Sequence, residues 1–352
     1  MNASQRLRAL GQSLWLDNIT RALLTSDTLA RYSQDLALTG LTSNPTIFEH
    51  AISKSDAYDE AISHHVGVGV GESGEALFFE LALEDLTRAA DRFRAAFDAS
   101  GGVDGWAPLE VSPLLADDAA KTIAAAARLH VHAARADLFS KIRGTPAGIT
   151  AIEESIFAGV PINVTLLFSR AHDVAAADAY LRGIERRITA RRDPKVALVA
   201  SLFVSRWDVA THARLPPAWR NRLGMAVAMQ TFRAYRERLA SPRWRKLAAA
   251  GAQAQRLLWA SPGIKDPAAP DTLYVEALAA PDTINTLPEK TLAAFADHGQ
   301  VGHLMPEDGG AADAVLAAQL QRERADAFSK SWHALLGVIR PKGEALTSFT
   351  SP

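Results

Sequence analysis

The sequence predicts an α/β protein folded as a closed (β/α)8 barrel. Short apolar segments alternate with longer amphipathic helical patterns about eight times, as in a parallel sheet with crossover helices. The alternation runs through all 352 residues without an internal repeat, a low-complexity tract or a convincing second domain. Reactive residue types also follow the apolar segments, where barrel enzymes carry their active sites. We therefore expect one barrel domain over residues 1–352, with additional N- and C-terminal helices.

The predicted strands are short apolar runs bounded by turn residues. They lie near residues 13–17, 39–43, 107–111, 138–142, 162–166, 198–203, 256–260 and 282–286. Amphipathic helices rich in Ala, Leu and Arg are predicted between them, at 75–94, 117–135, 170–187 and 208–239. A polar connector near 305–310 precedes a C-terminal helix at about 313–337, which we expect to pack on the barrel.

Composition excludes several classes of function. The 38 Lys+Arg and 39 Asp+Glu residues give a formal net charge of -1, which argues against nucleic acid and anionic membranes as partners. No apolar run approaches the ~20 residues of a membrane helix, and no signal-peptide layout opens the chain. Cysteine is absent, which excludes disulfides and thiolate chemistry, and the histidines lack ligand spacing for a metal. We expect a soluble, cytoplasmic protein without a metal site.

Lys141 is the first candidate catalytic residue. It stands in a short apolar run that ends at Gly144, Thr145 and Pro146. A lysine at the end of a buried strand is costly, and the neutral lysine amine condenses with ketones. A solvated or structural lysine remains the commoner explanation for one such residue taken alone.

Residues at the ends of the other predicted strands support a catalytic role for Lys141. Charged and polar residues in apolar strand segments are the exception. Here they form a ring: Asp17, Thr42, Ser43, Asn44, Glu110, Lys141, Asn163, Thr165, Ser201, Arg206 and Ser261. A ring of this kind is better explained as one site than as separate structural residues.

The residue types indicate the chemistry. A lysine amine forms an iminium with a ketone, and Asp17 or Glu110 moves protons while a carbon–carbon bond breaks or forms. Asparagine and serine side chains hold sugar hydroxyls, and Arg206 binds a phosphate bidentately. The predicted substrate class is a phosphorylated ketose.

Several segments resemble the transaldolase family. Residues 40–48 read Gly-Leu-Thr-Ser-Asn-Pro-Thr-Ile-Phe, residues 109–113 Leu-Glu-Val-Ser-Pro, and residues 163–169 Asn-Val-Thr-Leu-Leu-Phe-Ser. The resemblance continues at 258–261, 273–276 and 282–288, in the family's order and over nearly the whole chain. The chain is most similar to the bacterial subgroup that is also found fused to phosphoglucose isomerase, and at 352 residues it is too short to carry that second domain.

The resemblance implies a class I aldolase-type barrel with circularly permuted strand order, needing no cofactor. It implies transfer of a dihydroxyacetone unit from sedoheptulose 7-phosphate to glyceraldehyde 3-phosphate, giving erythrose 4-phosphate and fructose 6-phosphate, in the pentose phosphate pathway. The partners are thus phosphorylated ketoses and aldoses; monomer and homodimer stay open. Carried over by position, the implied catalytic residues are Lys141 for the Schiff base, Asp17 as acid/base, and Glu110 with Thr165 through a water. The implied substrate-binding residues are Asn44, Asn163, Ser201 and Arg206.

Two departures from the family pattern limit this carry-over. Arg143 replaces a usual proline, and on a strand it shares a face with Lys141, where a cation favours the neutral amine and disfavours the iminium. We favour the alternative that the strand has ended and Arg143 reaches solvent, so that Arg143→Pro changes turnover by at most a few fold. For the phosphate, Ser261 and Lys265 are the further ligands expected, although other members carry an arginine nearer the serine.

Three other functions remain open. An aldolase releasing free dihydroxyacetone, such as a fructose 6-phosphate aldolase, is disfavoured because Glu110 goes with transaldolases. An isomerase would need a base but no covalent lysine. A non-catalytic sugar-phosphate-binding relative would typically have lost Lys141 or its carboxylate partners, which are intact.

Overall fold

Eight parallel strands form the centre of the molecule, in a computed structural model that describes residues 1–69, 74–213, 220–302, 305, 329–339 and 341–342. Every strand is buried along its whole length, as expected for a sheet covered by helices on its outer face. The strands are β1 (Ser13–Leu16), β2 (Leu38–Leu41), β3 (Ala107–Glu110), β4 (Leu138–Arg143), β5 (Ile162–Leu167), β6 (Leu198–Phe203), β7 (Arg256–Ala260) and β8 (Thr283–Leu287). The predicted strand positions are confirmed to within a few residues.

The sheet curls into a nearly closed barrel. Its order is β2-β1-β8-β7-β6-β5-β4-β3, and each paired neighbour is parallel. The remaining seam, between β2 and β3, is bridged by a hydrogen bond from the Leu41 amide to the Trp106 carbonyl oxygen at 3.2 Å. The Ser43 hydroxyl donates to the Pro108 carbonyl oxygen at 2.6 Å just above it. The predicted (β/α)8 fold class is therefore confirmed.

Helices surround the barrel, and α1 precedes the first strand. In the described part of the chain they are α1 (Ala3–Ala9), α2 (Arg21–Thr25), α3 (Thr28–Leu36), α4 (Pro45–Ser53), α5 (Asp59–Gly67), α6 (Gly74–Ala99), α7 (Ala119–Ala133), α8 (Pro146–Ala158), α9 (Arg170–Thr189), α10 (Ser205–Thr211), α11 (Leu223–Ala240), α12 (Pro242–Ala249), α13 (Leu273–Ala277) and α14 (Glu289–His298). Residues 329–339 are also helical.

Sharp turns lead from strands into helices at the carboxyl end of the barrel. Asn44, Thr145 and Ser169 each accept a hydrogen bond from the backbone N–H three residues later, at 3.1, 3.1 and 3.2 Å. Such side chains satisfy N–H groups that a helix start leaves open. Pro45 and Pro146 at the first helical position fix the backbone for the turn. Polar residues are thereby held at the rim.

Aromatic packing fills the lower half of the barrel. Trp106 and Phe139 stack with ring centroids 3.9 Å apart, and Trp15 lies 6.5 Å from Phe139. Gly40 on β2 is required by this packing, since a Cβ there would lie 2.8 Å from Trp15 Nε1 and 2.9 Å from the Trp106 carbonyl oxygen. These aromatic side chains thus fill the barrel interior below the carboxyl ends of its strands, where barrel enzymes carry their active sites.

The helix predicted at 208–239 is wrong as one element. The structure has α10 up to Thr211 and a separate α11 from Leu223, and Asp208 explains the second start. Its carboxylate accepts hydrogen bonds from the backbone N–H groups of Leu223 and Gly224, at 3.1 and 3.2 Å, and from the Tyr274 hydroxyl at 2.6 Å. Amphipathic periodicity hid this break because both helices present apolar faces to the barrel.

The C-terminal helix predicted at 313–337 lies only partly in the described residues. From 329 onward the chain is helical, and Trp332 packs edge-on against Phe78 of α6 with centroids 4.7 Å apart. Of the predicted connector, only Met305 is described; its amide donates to the Ala279 carbonyl oxygen at 2.9 Å. Organisation as a single domain stays a prediction.

Replacing Asp208 with alanine should destabilise the protein by about 2–4 kcal/mol, because two buried donors and one half-buried donor lose their acceptor together. Urea unfolding followed by circular dichroism measures the change. Asp178→Ala is the matched control, since that carboxylate is 47 % exposed and, within the described part of the chain, forms its ion pair with the half-exposed Arg243. Equal stability of the two variants would contradict the assigned capping role.

Candidate active site

A cavity of about 430 Å³ opens at the carboxyl ends of the strands. Its volume suits a small organic ligand, and its walls combine charged, hydroxyl and apolar side chains. The residues predicted from the sequence that line it are Asp17, Thr42, Asn44, Lys141, Thr165, Ser201, Arg206 and Ser261. The ends of six strands thus meet in one place, as the ring of strand ends predicts.

Lys141 projects into this cavity from β4. The residue is only 5 % exposed, and its Nζ donates a hydrogen bond to the Ser43 carbonyl oxygen at 2.8 Å. That bond directs the amine past β3 toward the end of β2. The amine is therefore both desolvated and held in one direction, which suits a nucleophile.

Glu110 lies beside Lys141 but is not itself among the residues that line the cavity. The two residues are Cα partners on the neighbouring strands β3 and β4. Glu110 Oε2 lies 3.6 Å from Lys141 Nζ and accepts no hydrogen bond from the described residues. This oxygen is thus the part of the carboxylate available to a water or a reacting group beside the amine.

Arg143 corrects an expectation. The preferred interpretation placed it beyond the strand and in solvent, but β4 runs through Arg143, whose side chain is buried beside Glu110. A strand alternates its faces, so two residues beyond Lys141 the side chain again points inward. The expectation that Arg143→Pro leaves turnover almost unchanged depended on exposure and falls with it.

Asp17 ends β1 on the opposite wall. Its Oδ1 accepts a hydrogen bond from the Thr42 hydroxyl at 2.8 Å, and the Thr42 and Thr286 hydroxyls lie 2.7 Å apart. Burial raises the pKa of the Asp17 carboxyl, while Thr42 and the cations Lys141, Lys265 and Arg206 lower it by less in total. A carboxylate with a raised pKa is a stronger base than an ordinary aspartate, as proton transfer requires.

Asn163 and Ser201 form a buried amide–hydroxyl pair on β5 and β6. The Ser201 hydroxyl donates to Asn163 Oδ1 at 2.8 Å. Asn163 Nδ2 has no acceptor among the described residues, although the residue is fully buried. Asn163 is also the Cα partner of Lys141, so its amide group can donate to a ligand bound near the amine.

Thr165 lies two residues beyond Asn163 on β5, and therefore on the same inward face, next to a distortion of the strand. The pairing register shifts between Val164 and Leu167, and Leu166 has φ +61°. Bulges of this kind redirect side chains and occur beside active sites. The Thr165 hydroxyl is buried without a hydrogen-bond partner among the described residues, one strand beyond Lys141.

The rim at β6 and β7 carries the predicted phosphate ligands. Arg206 stands in the first turn of α10 and lines the cavity with Ser261, and Ser261 is held by a 3.2 Å contact between its hydroxyl and that of Ser205. Lys265 is exposed and lines a neighbouring cavity of about 270 Å³. Its charge nevertheless acts on Asp17, so it contributes to the potential of the site.

Three further residues of the site were not predicted. Thr286 completes the hydroxyl pair beside Asp17, Ser331 lines the cavity, and Thr46 donates to the Ser331 hydroxyl at 2.9 Å. Thr46 and Thr286 stand inside the family-like segments, which could have indicated them. Ser331 carries no such signal, because only the folding back of the chain brings it to the rim.

Other classes of site were also sought in the described part of the chain. It contains no group of three or more His, Asp or Glu side chains able to hold a metal ion. Among the helices of the same residues, none combines the length and apolar character needed to cross a membrane.

Comparison with known proteins decides the family. The sequence model of the transaldolase/fructose-6-phosphate aldolase family matches residues 14–339. The chain belongs to the transaldolase family. It is 42 % identical to the transaldolase of Frankia alni over 96 % of both chains, and 41 % identical to that of Parafrankia over 95 % of this chain and 96 % of the relative. The transaldolase of Thermobifida fusca is 40 % identical over the same shares.

Asp17→Asn should make the protein more stable, and the gain should grow as the pH rises above the ordinary aspartate value of 3.8. Because the folded-state pKa is raised, the folded protein binds the proton more tightly than the unfolded chain, so the wild type loses stability as the carboxyl ionises. Urea unfolding at pH 5 and pH 8 measures the difference.

Asp118→Asn is the control, because its expected effect on stability has the opposite sign. Hydrogen bonds from Lys121 lower the pKa of Asp118, so this carboxylate adds stability at neutral pH and loses it as the pH falls. A stability difference for Asp17→Asn that shrinks with rising pH would contradict the burial argument.

Proposed function

We propose that this member of the transaldolase family transfers a dihydroxyacetone unit through a Schiff base on Lys141. The reaction is sedoheptulose 7-phosphate plus glyceraldehyde 3-phosphate to erythrose 4-phosphate plus fructose 6-phosphate. The observation that carries the proposal is the buried Lys141 amine held 3.6 Å from Glu110, in a cavity with Asp17 and Arg206. It supports the proposal because an amine, two carboxylates and a guanidinium surround one small volume, as a nucleophile, two proton carriers and a phosphate ligand would.

The first half of the reaction forms and uses an iminium. The neutral Lys141 amine adds to C2 of the ketose, and the carbinolamine loses water with Glu110 and Thr165 acting through a bound water. Asp17 accepts the proton of the C4 hydroxyl as the C3–C4 bond breaks. The bonding electrons enter the iminium to give an enamine, and the aldose phosphate leaves.

The second half reverses these steps with a new aldehyde. The enamine carbon attacks the acceptor carbonyl, and Asp17 returns its proton to the oxygen that becomes the new C4 hydroxyl. Water then adds to the iminium and releases the product ketose from Lys141. The raised pKa of Asp17 supports both proton transfers, because the group holds the proton between them.

The substrate is held from two sides of the barrel. In the sheet order, β2 and β6 are four strands apart in either direction and therefore face each other. Arg206 and Ser261, with Lys265 nearby, bind the phosphate on the β6 side. Asn44 caps α4 through its Oδ1, which leaves its NH2 group for hydroxyls of the dihydroxyacetone unit, together with Asn163 and Ser201.

The proposal also covers where the protein works. The phosphorylated substrates are charged and stay in the compartment that makes them, so we propose that the protein acts in the cytoplasm. There it would serve the non-oxidative pentose phosphate pathway.

Borohydride reduction with fructose 6-phosphate alone should trap a three-carbon adduct on Lys141, with little free dihydroxyacetone. Peptide mass mapping locates the adduct, and Lys141→Met should abolish it together with transfer activity. Lys121→Met is the matched control, because that lysine is 73 % exposed on α7. Absence of an adduct on any lysine would end the Schiff-base proposal, and an adduct with steady release of dihydroxyacetone would indicate an aldolase.

Arg206→Gln should raise the KM for fructose 6-phosphate at least about tenfold, because a charge-assisted phosphate contact is lost. Trapping with unphosphorylated fructose should be unchanged, since that ligand has no phosphate to lose. The control is Arg243→Gln, which removes a half-exposed arginine paired with Glu185 on the outer helices. An equal loss with both sugars would show that Arg206 does not hold the phosphate.

A further inference from the structure

Arg143 brings a second cation to Glu110. Its side chain is 4 % exposed, that of Glu110 is 5 % and that of Lys141 is 7 %. A buried guanidinium is expensive unless it is paired and hydrogen-bonded, so its partners indicate why it is there.

Two contacts of Arg143 with the described residues lie on one neighbouring segment. Its Nε donates to Glu110 Oε1 at 3.4 Å, and its Nη1 donates to the Pro113 carbonyl oxygen at 3.2 Å. Glu110 ends β3, and Pro113 begins the short 3-10 turn Pro113–Leu115 that follows it. The guanidinium therefore fixes both the carboxylate and the loop behind it to the end of β4.

The two oxygens of Glu110 have different neighbours. Oε1 faces Arg143 and Oε2 faces Lys141. A glutamate has three side-chain torsions, and without the arginine its carboxylate is free to turn both oxygens toward the lysine. The planar guanidinium keeps a fixed direction that a flexible lysine cannot impose.

The permanent charge of Arg143 also indicates that its role is exerted on Glu110. Arginine stays protonated at any working pH, whereas Lys141 must be neutral to attack a carbonyl. When the amine gives up its proton, Glu110 still faces a cation in Arg143. The site can therefore lose that proton without leaving an uncompensated carboxylate in the barrel.

We propose that Arg143 is a positioning residue for catalysis, which holds Glu110 so that Oε2 faces the reacting nitrogen. The inference rests on the proposed Schiff-base function. It assigns to this chain's own arginine a task that a proline at position 143 cannot perform, because proline has no side-chain donor.

A double-mutant cycle tests the inference. Arg143→Met should lower kcat about 10- to 100-fold, because a misplaced proton carrier costs rate. The KM for fructose 6-phosphate should stay within about twofold, since the side-chain contacts of Arg143 with the described residues are to Glu110 and Pro113 and not to the proposed phosphate or hydroxyl ligands. In a Glu110→Gln background the same substitution should change kcat by less than about twofold, because Arg143 acts through Glu110.

Arg143→Lys should recover part of the lost rate, because it keeps the cation without the planar fork. Where Arg143→Met does not fold, the cycle is run with Arg143→Lys. An unchanged kcat in the wild-type background, or an equal loss in both backgrounds, would overturn the positioning role.

The borohydride adduct distinguishes failure of the positioning role from failure of the proposed Schiff-base function. If wild-type protein gives the Lys141 adduct but the cycle shows no coupling, only the role of Arg143 is lost. If wild-type protein gives no adduct, the Schiff-base function fails, and the positioning role fails with it.

Discussion

The register between β3 and β4 is the constraint on which the site depends. Glu110 and Lys141 are Cα partners, and Lys141 is in turn the partner of Asn163 on β5. A slip of one residue would turn each of these side chains from the inside of the barrel to the helix layer. Barrel closure and the tight aromatic packing around Gly40 hold this register of β3 and β4. The packing in the lower half of the barrel therefore determines which side chains face the site at the carboxyl ends of the strands.

The same register brings charged side chains together at the site, and their excess of cations suits the proposed anionic substrate. The site gathers two carboxylates, Asp17 and Glu110, and four cations, Lys141, Arg143, Arg206 and Lys265. The whole chain is nearly neutral, with a net charge of -1, so this excess of cations is local. A sugar phosphate carries the anionic charge that such a site attracts.

Much of the fold could be predicted because its signals are local. Short apolar runs, turn residues and intervening amphipathic segments placed all eight strands within a few residues. The break after Thr211 was missed although Pro216 and Pro217, which interrupt a helix, lie inside the predicted span. The contact between Asp208 and Tyr274 carries no local signal, because Tyr274 lies 66 residues away. The prediction that Arg143 is exposed was wrong for a related reason. The turn residues after Arg143 suggested that the strand had ended, whereas pairing with β5 extends the strand by one residue.

Several features of the site lower stability, and only the surrounding barrel maintains them. Leu166 and Ser261 have φ of +61° and +55°, a left-handed conformation that costs a non-glycine residue about 1–2 kcal/mol. Both occur at strand ends, beside Thr165 and against Ser205. Asp17 adds a carboxyl whose ionised form is disfavoured by burial. Their common location is best explained by the directions in which they hold hydroxyls and a proton acceptor. A rigid barrel with its core below the rim can carry such local costs without losing its fold, because the strands beneath remain fully buried and paired.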